Sequence, residues 1–411
     1  MLLKSMPAVR RNSLAITVAV LSASLFAPSA SAQLAQTLQY QATDLGALGF
    51  VHALNVNARG DVLGIGADNR YRLYSQGKVS VVGISASSYL SGYTASAYLN
   101  DAGQVAGSEF NAGTSQWESR LYSNGIVSSL NISGKAQIAG FNASGQILAV
   151  DRNRGLGYLG TSDNLVEFEF SPFIGHSVAS LNNTGLIVNT NEGNVVAFRV
   201  SDIGSVQLSL IRNAYGWRGE YDSVDYRHTF GVSSLNDNNH IILISGYSQT
   251  CSNTYSGMYE VSCEYNQEFQ NYYTRNYSLY DLNTNTEVRS LGGTFVSDPY
   301  NLDYYFRAYS LNNHGDFVAG DVYGDVIYLA DGSFTGPALY FQQYGRAVDD
   351  LFGGGALIGD NRHLLISGQA EDNGDQMLLL LTPVPEPSAA FLLTMGLAGV
   401  LLIRRPRKDQ S

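Results

Sequence analysis

Short apolar segments alternate with polar turns along most of the chain, and one phrase recurs in the turns. In its clearest copy, residues 99–107, an apolar residue leads into Asn100, Gly103 follows three positions later, and a short apolar run ends at Gly107. An Asn side chain caps a tight turn, and Gly adopts positive φ without steric cost. The apolar runs are short, β-branched and bounded by glycine, which predicts buried strands.

The phrase occurs seven times. The copies begin at Asn57, Asn100, Asn142, Asn182, Asn236, Asn312 and, in a degenerate form, Asp360. The spacings are 43, 42, 40, 54, 76 and 48 residues, and a period of about 40–45 is typical of four-stranded propeller blades. In the last copy His363 stands in the glycine slot, where it fits poorly. A second phrase, at 72–77 and again at 120–125, predicts a hairpin within each repeat.

The two ends of the repeat region complement each other. Residues 40–46 resemble the strand that closes the other repeats but precede the first full repeat, whereas the last repeat stops early, at 377–381. A ring in which the N-terminal strand completes the final blade accounts for both facts and leaves only short sheet edges. We therefore predict an all-β domain, a seven-bladed β-propeller-like repeat array over residues 33–382.

Residues 1–32 have the pattern of a secretory signal peptide, expected to be a short helix. Lys4 and two arginines precede an apolar stretch, and Ala30 and Ala32 form a small-residue cleavage site, which places the mature start at Gln33. An ordinary N-terminal membrane anchor is the alternative. Signal peptidase is the partner that this segment implies.

Residues 383–411 have the pattern of a second targeting segment. Pro385, Glu386 and Pro387 precede an apolar run of about 15 residues, short for a bilayer core near 30 Å, and Arg404 and Arg405 follow it. This tail resembles the PEP-CTERM sorting signal of Gram-negative bacteria, also called an ice-binding-protein C-terminal domain. The resemblance implies a transmembrane helix, recognition of the Pro-Glu-Pro motif by an exosortase, and stop-transfer by the two arginines. A plain membrane anchor is the alternative.

The body resembles extracellular repeat proteins of the HAF type. Residues 43–49 match the Asp-Leu-Gly part of that repeat, and residues 97–107 match its Ala-x-x-Leu-Asn-x-x-Gly-x-Val-x-Gly part. The chain departs from the pattern at Asn239, at 360–363 and between 212 and 309. The resemblance implies an extracellular repeat protein and no particular activity.

Charge and cysteine content narrow the classes of partner. The formal net charge is −11, and the two terminal segments carry seven of the cations, so the body is more acidic still. This charge argues against nucleic acid and anionic membrane surfaces as partners of the body.

The two cysteines, Cys251 and Cys263, are predicted to form a disulfide in an exported chain; a metal or redox site is the alternative.

The stretch 212–309 holds 15 of the 27 tyrosines. Exposed tyrosines offer a flat apolar face and a hydroxyl, which suits recognition of a sugar or a partner protein. We expect such a surface at a set of tyrosines among Asn, Gln and Ser: Tyr272, Tyr273, Tyr277, Tyr300, Tyr304 and Tyr305. Packing between blades is the alternative.

Motifs for catalysis and cofactor binding are missing from the sequence. No H-E-x-x-H, G-x-S-x-G or P-loop pattern occurs, and His314, His363 and His240 are expected to be exposed turn residues. The acidic clusters 236–239 and 371–375 lack EF-hand spacing, so no metal site is assigned, although calcium at these clusters stays open. No catalytic residue and no cofactor is predicted.

Together these patterns predict a non-enzymatic, exported and exosortase-processed protein of the cell surface or extracellular matrix. Its expected ligand is exopolysaccharide or a surface partner. The alternative is an enzyme that acts on extracellular polysaccharide through paired carboxylates in a propeller channel, although no spacing in the sequence selects such a pair.

Overall fold

The structure, a computed structural model, describes residues 40–384 with gaps at 87–96, 133–135, 152, 170–176, 192–193, 201–205, 213–214, 219–223, 252–253, 257–258, 262–271, 297–306, 322–323, 336–355 and 370–375. Residues 41–383 form one compact unit. All regular structure in the described residues is β-strand, arranged as seven sheets of a β-propeller and one small separate hairpin. The predicted all-β class and the seven blades are confirmed, whereas the two predicted terminal helices lie outside the described residues.

Blades 1 to 4 each contain four antiparallel strands in chain order. Blade 1 consists of β2 (Phe50–Val56), β3 (Val62–Gly66), β4 (Arg70–Ser75) and β5 (Lys78–Ser85). Blade 2 consists of β6 (Ala97–Leu99), β7 (Val105–Asn111), β8 (Gln116–Ser123) and β9 (Ile126–Ser129). Blade 3 consists of β10 (Gln137–Phe141), β11 (Ile147–Asp151), β12 (Leu156–Thr161) and β13 (Asn164–Glu169). Blade 4 consists of β14 (Ser177–Leu181), β15 (Ile187–Asn191), β16 (Asn194–Val200) and β17 (Val206–Arg212).

The remaining blades depart from this plan. Blade 5 has five strands, in the order β18 (Tyr215–Arg218), β19 (Val224–Leu235), β20 (His240–Cys251), β23 (Tyr272–Asp281) and β24 (Thr286–Val296). The separate hairpin is β21 (Thr254–Ser256) with β22 (Tyr259–Val261). Blade 6 consists of β25 (Arg307–Leu311), β26 (Phe317–Asp321), β27 (Gly324–Tyr328) and β28 (Phe334–Thr335). Blade 7 consists of β29 (Ala356–Ile358), β30 (Leu364–Gln369), β31 (Gln376–Pro383) and, from the other end of the chain, β1 (Tyr40–Asp44).

The ring closes as predicted, because β1 is the outermost strand of the last blade and lies beside β31. Just after β1, the Leu45 N–H donates to the Leu378 carbonyl at 2.9 Å. Leu45 is fully buried and packs in one cluster with residues of both blade 7 and blade 1, including Phe50 and Leu365. The N-terminal strand therefore joins the first and last blades.

The core lies between the blades. The second strand of a blade is buried on both faces, and its successive side chains point to opposite neighbours. In β3, Val62 packs towards blade 7 whereas Leu63 and Ile65 pack towards blade 2. The same arrangement in β15 places Ile187 against blade 3 and Val188 against blade 5. Continuous apolar runs are therefore found where the sequence predicted buried strands.

The seven Asn-type turns connect the first and second strands of their blades. We call them the ring turns and number their residues 1 to 5: 57–61, 100–104, 142–146, 182–186, 236–240, 312–316 and 359–363. In each, the position-1 N–H donates to the position-5 carbonyl and the position-4 N–H donates to the position-1 carbonyl. Position 4 has positive φ in all seven, as at Gly60 (79°) and Asn239 (61°).

The seventh turn begins one residue earlier than the sequence predicted. Its hydrogen bonds run from the Gly359 N–H to the His363 carbonyl and from the Arg362 N–H to the Gly359 carbonyl. Gly359 therefore replaces the asparagine, and Arg362, with a φ of 61°, replaces the glycine. The alignment on Asp360 was wrong because this turn has Gly at position 1, where the other turns have Asn, and Arg at position 4, where most of them have Gly.

Blade 5 is longer than the other blades. Strands β19 and β20 each have 12 residues where β3 has five. The extra seven residues add roughly 23 Å at 3.3 Å per residue. Because β19 ends and β20 begins at the ring turn, this extension lies at the opposite end of the blade. These longer strands contribute to the spacings of 54 and 76 residues, and the chain between β20 and β23, which includes the separate hairpin, adds further to the second.

Candidate functional site: the mouth of the central channel

The ring turns surround a cavity at one mouth of the central channel. It has a volume of about 430 Å³ and is lined by residues from all seven blades. First-strand side chains such as Leu54, Leu99 and Phe141 form apolar parts of the wall. Positions 1 and 2 of the ring turns form a polar rim that includes Asn57, Asn183 and Asp237. The mouth thus combines apolar surface with many hydrogen-bonding groups.

Position 1 connects neighbouring blades. Its Oδ1 accepts N–H groups of its own turn, as Asn57 Oδ1 does from Arg59 and Asp61. Its Nδ2 donates to the position-1 carbonyl of the next blade, at 2.9 Å from Asn57 to Asn100. The same inter-blade bond occurs at four more junctions: Asn142 to Asn182, Asn182 to Asn236, Asn236 to Asn312 and Asn312 to Gly359. The sequence predicted the turn cap but not this second bond.

Position 2 forms a second layer of the same kind. The Ala58 N–H donates to Asp101 Oδ1 of the next blade at 2.9 Å, and the Asn313 N–H donates to Asp360 Oδ1 at 2.8 Å. Equivalent bonds join Ala143 to Asn183, Asn183 to Asp237, and Asp237 to Asn313. Acceptor side chains at position 2 therefore link neighbouring turns of the rim. Asn or Asp recurs at this position in the sequence, and this recurrence could have indicated the inter-blade bonds.

Three rim residues are carboxylates: Asp101, Asp237 and Asp360. Both oxygens of Asp237 accept hydrogen bonds, from the backbone and side chain of Asn183 and from the Asn313 side chain. Asp101 and Asp360 each accept one bond at Oδ1, and their Oδ2 atoms have no partner among the described residues. Those two oxygens are free to accept hydrogen bonds from a ligand.

The rim carboxylates act on one another. Burial raises the pKa of the Asp360 carboxyl, and the charges of Asp237 and Asp101 raise it further. The hydrogen bond from Asn313 and the charge of His314 oppose this rise in the pKa of Asp360. Within the described part of the chain, the lining of the mouth contains no Lys, Arg or His. The mouth therefore concentrates negative charge.

Three of the tyrosines expected to form a binding surface are described, and they lie away from the channel mouth. Tyr272 and Tyr273 are in β23, paired with Gln249 and Ser248 in the extension of blade 5, away from the ring turn. Tyr277 is 2% exposed and packs with Ile242 and Phe317, so it belongs to the core and not to a surface. Tyr300, Tyr304 and Tyr305 lie outside the described residues. The structure does not bring Tyr272, Tyr273 or Tyr277 to the channel mouth.

Other predicted sites have mixed outcomes. His314 is exposed and His240 is partly exposed, whereas His363 is 8% exposed, so its expected exposure was wrong. The side chain of His363 contacts Gly60 of blade 1 at the junction that closes the ring. The local sequence did not reveal this contact. The cluster 236–239 is a ring turn whose side chains bond to neighbouring turns, and no group of three metal-ligating side chains occurs in the described chain.

Several predicted residues lie outside the described part of the chain. These are Ala30, Ala32 and Gln33 at the predicted cleavage site, Pro385, Glu386 and Pro387 of the sorting motif, Arg404 and Arg405, and Cys263. Cys251 ends β20, and its disulfide with Cys263 stays a prediction. No segment of the described chain forms a helix with the length and apolarity that a membrane crossing requires.

Comparisons with known proteins concern the fold alone. The sequence matches no protein-family model, and the comparison with curated proteins gave no match. Among solved structures, the chain is similar to the β-propeller domain of Cps50 (Swd1) from Myceliophteria thermophila, with 8% identity, a TM-score of 0.32, and coverage of 71% of this chain and 97% of that one. It is also similar to the β-propeller domain of the Trilobed protease from Pyrococcus furiosus, with 10% identity, a TM-score of 0.31, and coverage of 71% and 96%.

A third similar structure is a putative oxidoreductase (glucose dehydrogenase) from Thermus thermophilus, with 11% identity, a TM-score of 0.28, and coverage of 84% and 100%. Identities and TM-scores this low carry no information on ligand or activity. The topology of the strands themselves establishes the protein as an all-β, seven-bladed propeller closed by its N-terminal strand.

Proposed function

We propose that this protein is an exported, non-enzymatic binding protein of the cell surface or extracellular matrix, and that it binds a neutral segment of exopolysaccharide at the channel mouth. The observation that carries the proposal is the composition of the mouth. Its 430 Å³ cavity joins apolar wall residues to a rim of Asn and Asp from seven blades. Saccharides present apolar ring faces and many hydroxyls, and both kinds of group find partners in such a site.

Charge selects among saccharides. Three carboxylates and no basic residue line the mouth within the described chain, so a uronate-rich segment would meet repulsion, whereas a neutral segment would not. The free Oδ2 atoms of Asp101 and Asp360 are acceptors for sugar hydroxyls, and hydrogen bonds to a charged acceptor are the stronger kind.

The Asp360→Asn variant tests this site. Asn keeps an oxygen that accepts the Asn313 N–H but loses the charge, so the affinity for a neutral oligosaccharide, measured by calorimetry, should fall about tenfold. The weak binding of a uronate oligosaccharide should rise at the same time. Asp331→Asn, in an exposed turn of blade 6, is the matched control. Equal affinities of Asp360→Asn and the unmodified protein for both sugars would contradict the proposal.

The same measurement separates the channel from the tyrosine-rich stretch. A double variant, Tyr272→Ala with Tyr273→Ala, changes the extension of blade 5 and leaves the mouth intact. Loss of binding in this variant alone would move the site to the extension.

An enzyme acting on extracellular polysaccharide is the second candidate. The raised pKa of Asp360 beside two other carboxylates favours it, because the general acid in glycoside cleavage is a carboxyl whose pKa its surroundings raise. Release of new reducing ends from a polysaccharide by the unmodified protein, abolished in Asp360→Asn, would establish this function in place of simple binding.

Export and sorting rest on the two terminal segments. The signal-peptide pattern of residues 1–32 and the Pro-Glu-Pro motif, apolar run and basic end of residues 383–411 support processing by signal peptidase and an exosortase. The Glu386→Ala variant should leave the tail uncleaved and retain the protein in the inner membrane, as judged by mass on a blot of membrane fractions. Normal maturation of Glu386→Ala would count against an exosortase.

A further inference from the structure

The junction between blades 7 and 1 has glycine at position 1 and lacks both kinds of inter-blade bond described above. Within the described chain the junction between blades 2 and 3 lacks them too, since Asn100 donates its Nδ2 to Gln104 of its own turn. Gly359 has no side chain to donate to the Asn57 carbonyl, although it approaches this carbonyl so closely that an added Cβ would lie 3.1 Å from it. One side-chain hydrogen bond of the described turns crosses here, from Asn361 Nδ2 to the Ala58 carbonyl at 2.6 Å. The place where the ring closes therefore lacks the inter-blade asparagine.

His363 occupies this junction. Its imidazole lies on Gly60 of blade 1, where an added Cβ would be 2.7 Å from Nε2 and 2.8 Å from Cδ2. The residue is 8% exposed, and Nδ1 has no hydrogen-bond partner within the described chain. At the same position 5, Gln104 and Gln146 accept hydrogen bonds from the asparagine of their own turns. His363 thus fills the junction as a packed ring.

The charged groups around His363 are already paired with one another, so they offer a protonated imidazole no unpaired carboxylate. Facing it from blade 1, Asp61 accepts bonds at Oδ2 from Asn57 and from two nitrogens of Arg59, so its charge is already paired. On its own turn, Arg362 pairs with Asp316 of blade 6. Burial lowers the pKa of His363, and the Asp61 carboxylate only partly opposes this shift.

We propose that protonation of His363 loosens the junction between blades 7 and 1, so that the ring is sensitive to acid at the place where its ends meet. An imidazolium has to leave the packed contact with Gly60 to reach water, because burying an unpaired charge is costly. The opened state binds the proton with an ordinary affinity, near pH 6.5. Stability of the junction is therefore complete above about pH 6.5 and falls as the pH drops below it.

Hydrogen exchange of the mature protein between pH 7.5 and 5.0 tests this inference. After correction for the intrinsic pH dependence of exchange, protection in β1 and β29–β31 should fall by up to about tenfold per pH unit below 6.5. Protection in blade 3, away from the junction, should stay constant. The His363→Gln variant places at position 5 a residue that blades 2 and 3 already use, and its protection in blade 7 should not depend on pH.

Two results would overturn the inference. One is the same acid-dependent loss of protection in His363→Gln and in the unmodified protein. The other is an ordinary midpoint near pH 6.5 for the His363 imidazole in an NMR titration of the folded protein, a measurement that needs no variant to fold. The outcome is independent of sugar binding at the mouth.

Discussion

In five of the seven repeats, one asparagine stabilises both its own turn and the contact with the next blade. Asn236 caps its turn through Oδ1, which accepts N–H groups of Asn238 and His240, and donates Nδ2 to the Asn312 carbonyl of blade 6. It is 4% exposed. Aspartate could provide the cap but not the donor, which explains why Asn and not Asp stands at position 1 in six of the seven copies.

Asn189 is a buried asparagine of the opposite kind. It lies in β15 with no exposed surface, and neither its oxygen nor its nitrogen has a hydrogen-bond partner within the described chain. The strand alternation directs it towards blade 3, next to the apolar cluster that contains Val150 and Ile187. A buried amide without partners costs stability.

Replacement of Asn189 by Val should therefore stabilise the protein by about 1–3 kcal/mol, since the unsatisfied polar atoms are removed. The equivalent position of the second strand carries Ala149 in blade 3 and Ile366 in blade 7, so an apolar residue suits it. The midpoint of urea unfolding measures the change, with Asn142→Ala, which removes an inter-blade bond, as a destabilising control. A lower midpoint in Asn189→Val would contradict this account of Asn189.

At the scale of elements, β1 determines whether blade 7 is complete. Blade 7 keeps three strands of its own, and β1 supplies the fourth together with the buried Leu45. Without β1, the edge of β31 would be unpaired and part of the apolar cluster between blades 7 and 1 would be exposed.

A variant that begins at residue 46 should consequently unfold at a lower temperature than the mature protein. A synthetic peptide of residues 38–46, added in excess, should restore part of the loss, because binding to the folded state stabilises it by mass action. Differential scanning calorimetry measures both effects, and a peptide of the same composition in scrambled order is the control. An unchanged melting temperature after truncation would show that β1 contributes little to closure.

At the scale of the whole molecule, the repeat and its closure could be predicted from the sequence, but the site could not. The Asn-x-x-Gly turns and the matching ends predicted the blades, since these features are local. Asp101, Asp237 and Asp360 are more than 100 residues apart along the chain, and only the closed ring brings them to one rim. The expected exposure of His363 was wrong for the same reason, because Gly60, which it contacts, lies on the adjacent blade but near the other end of the chain.

The position of β1 beside β31 also determines where a fused tag or carrier would be attached. The described body enters through β1 and leaves through β31, two adjacent strands at the outer side of one blade. A tag or carrier fused to either end would thus be anchored at a single point of the circumference. The other six blades would remain accessible. In a circular permutant, a short linker would join the end of β31 to the start of β1, and the new chain ends could lie between any other two neighbouring blades.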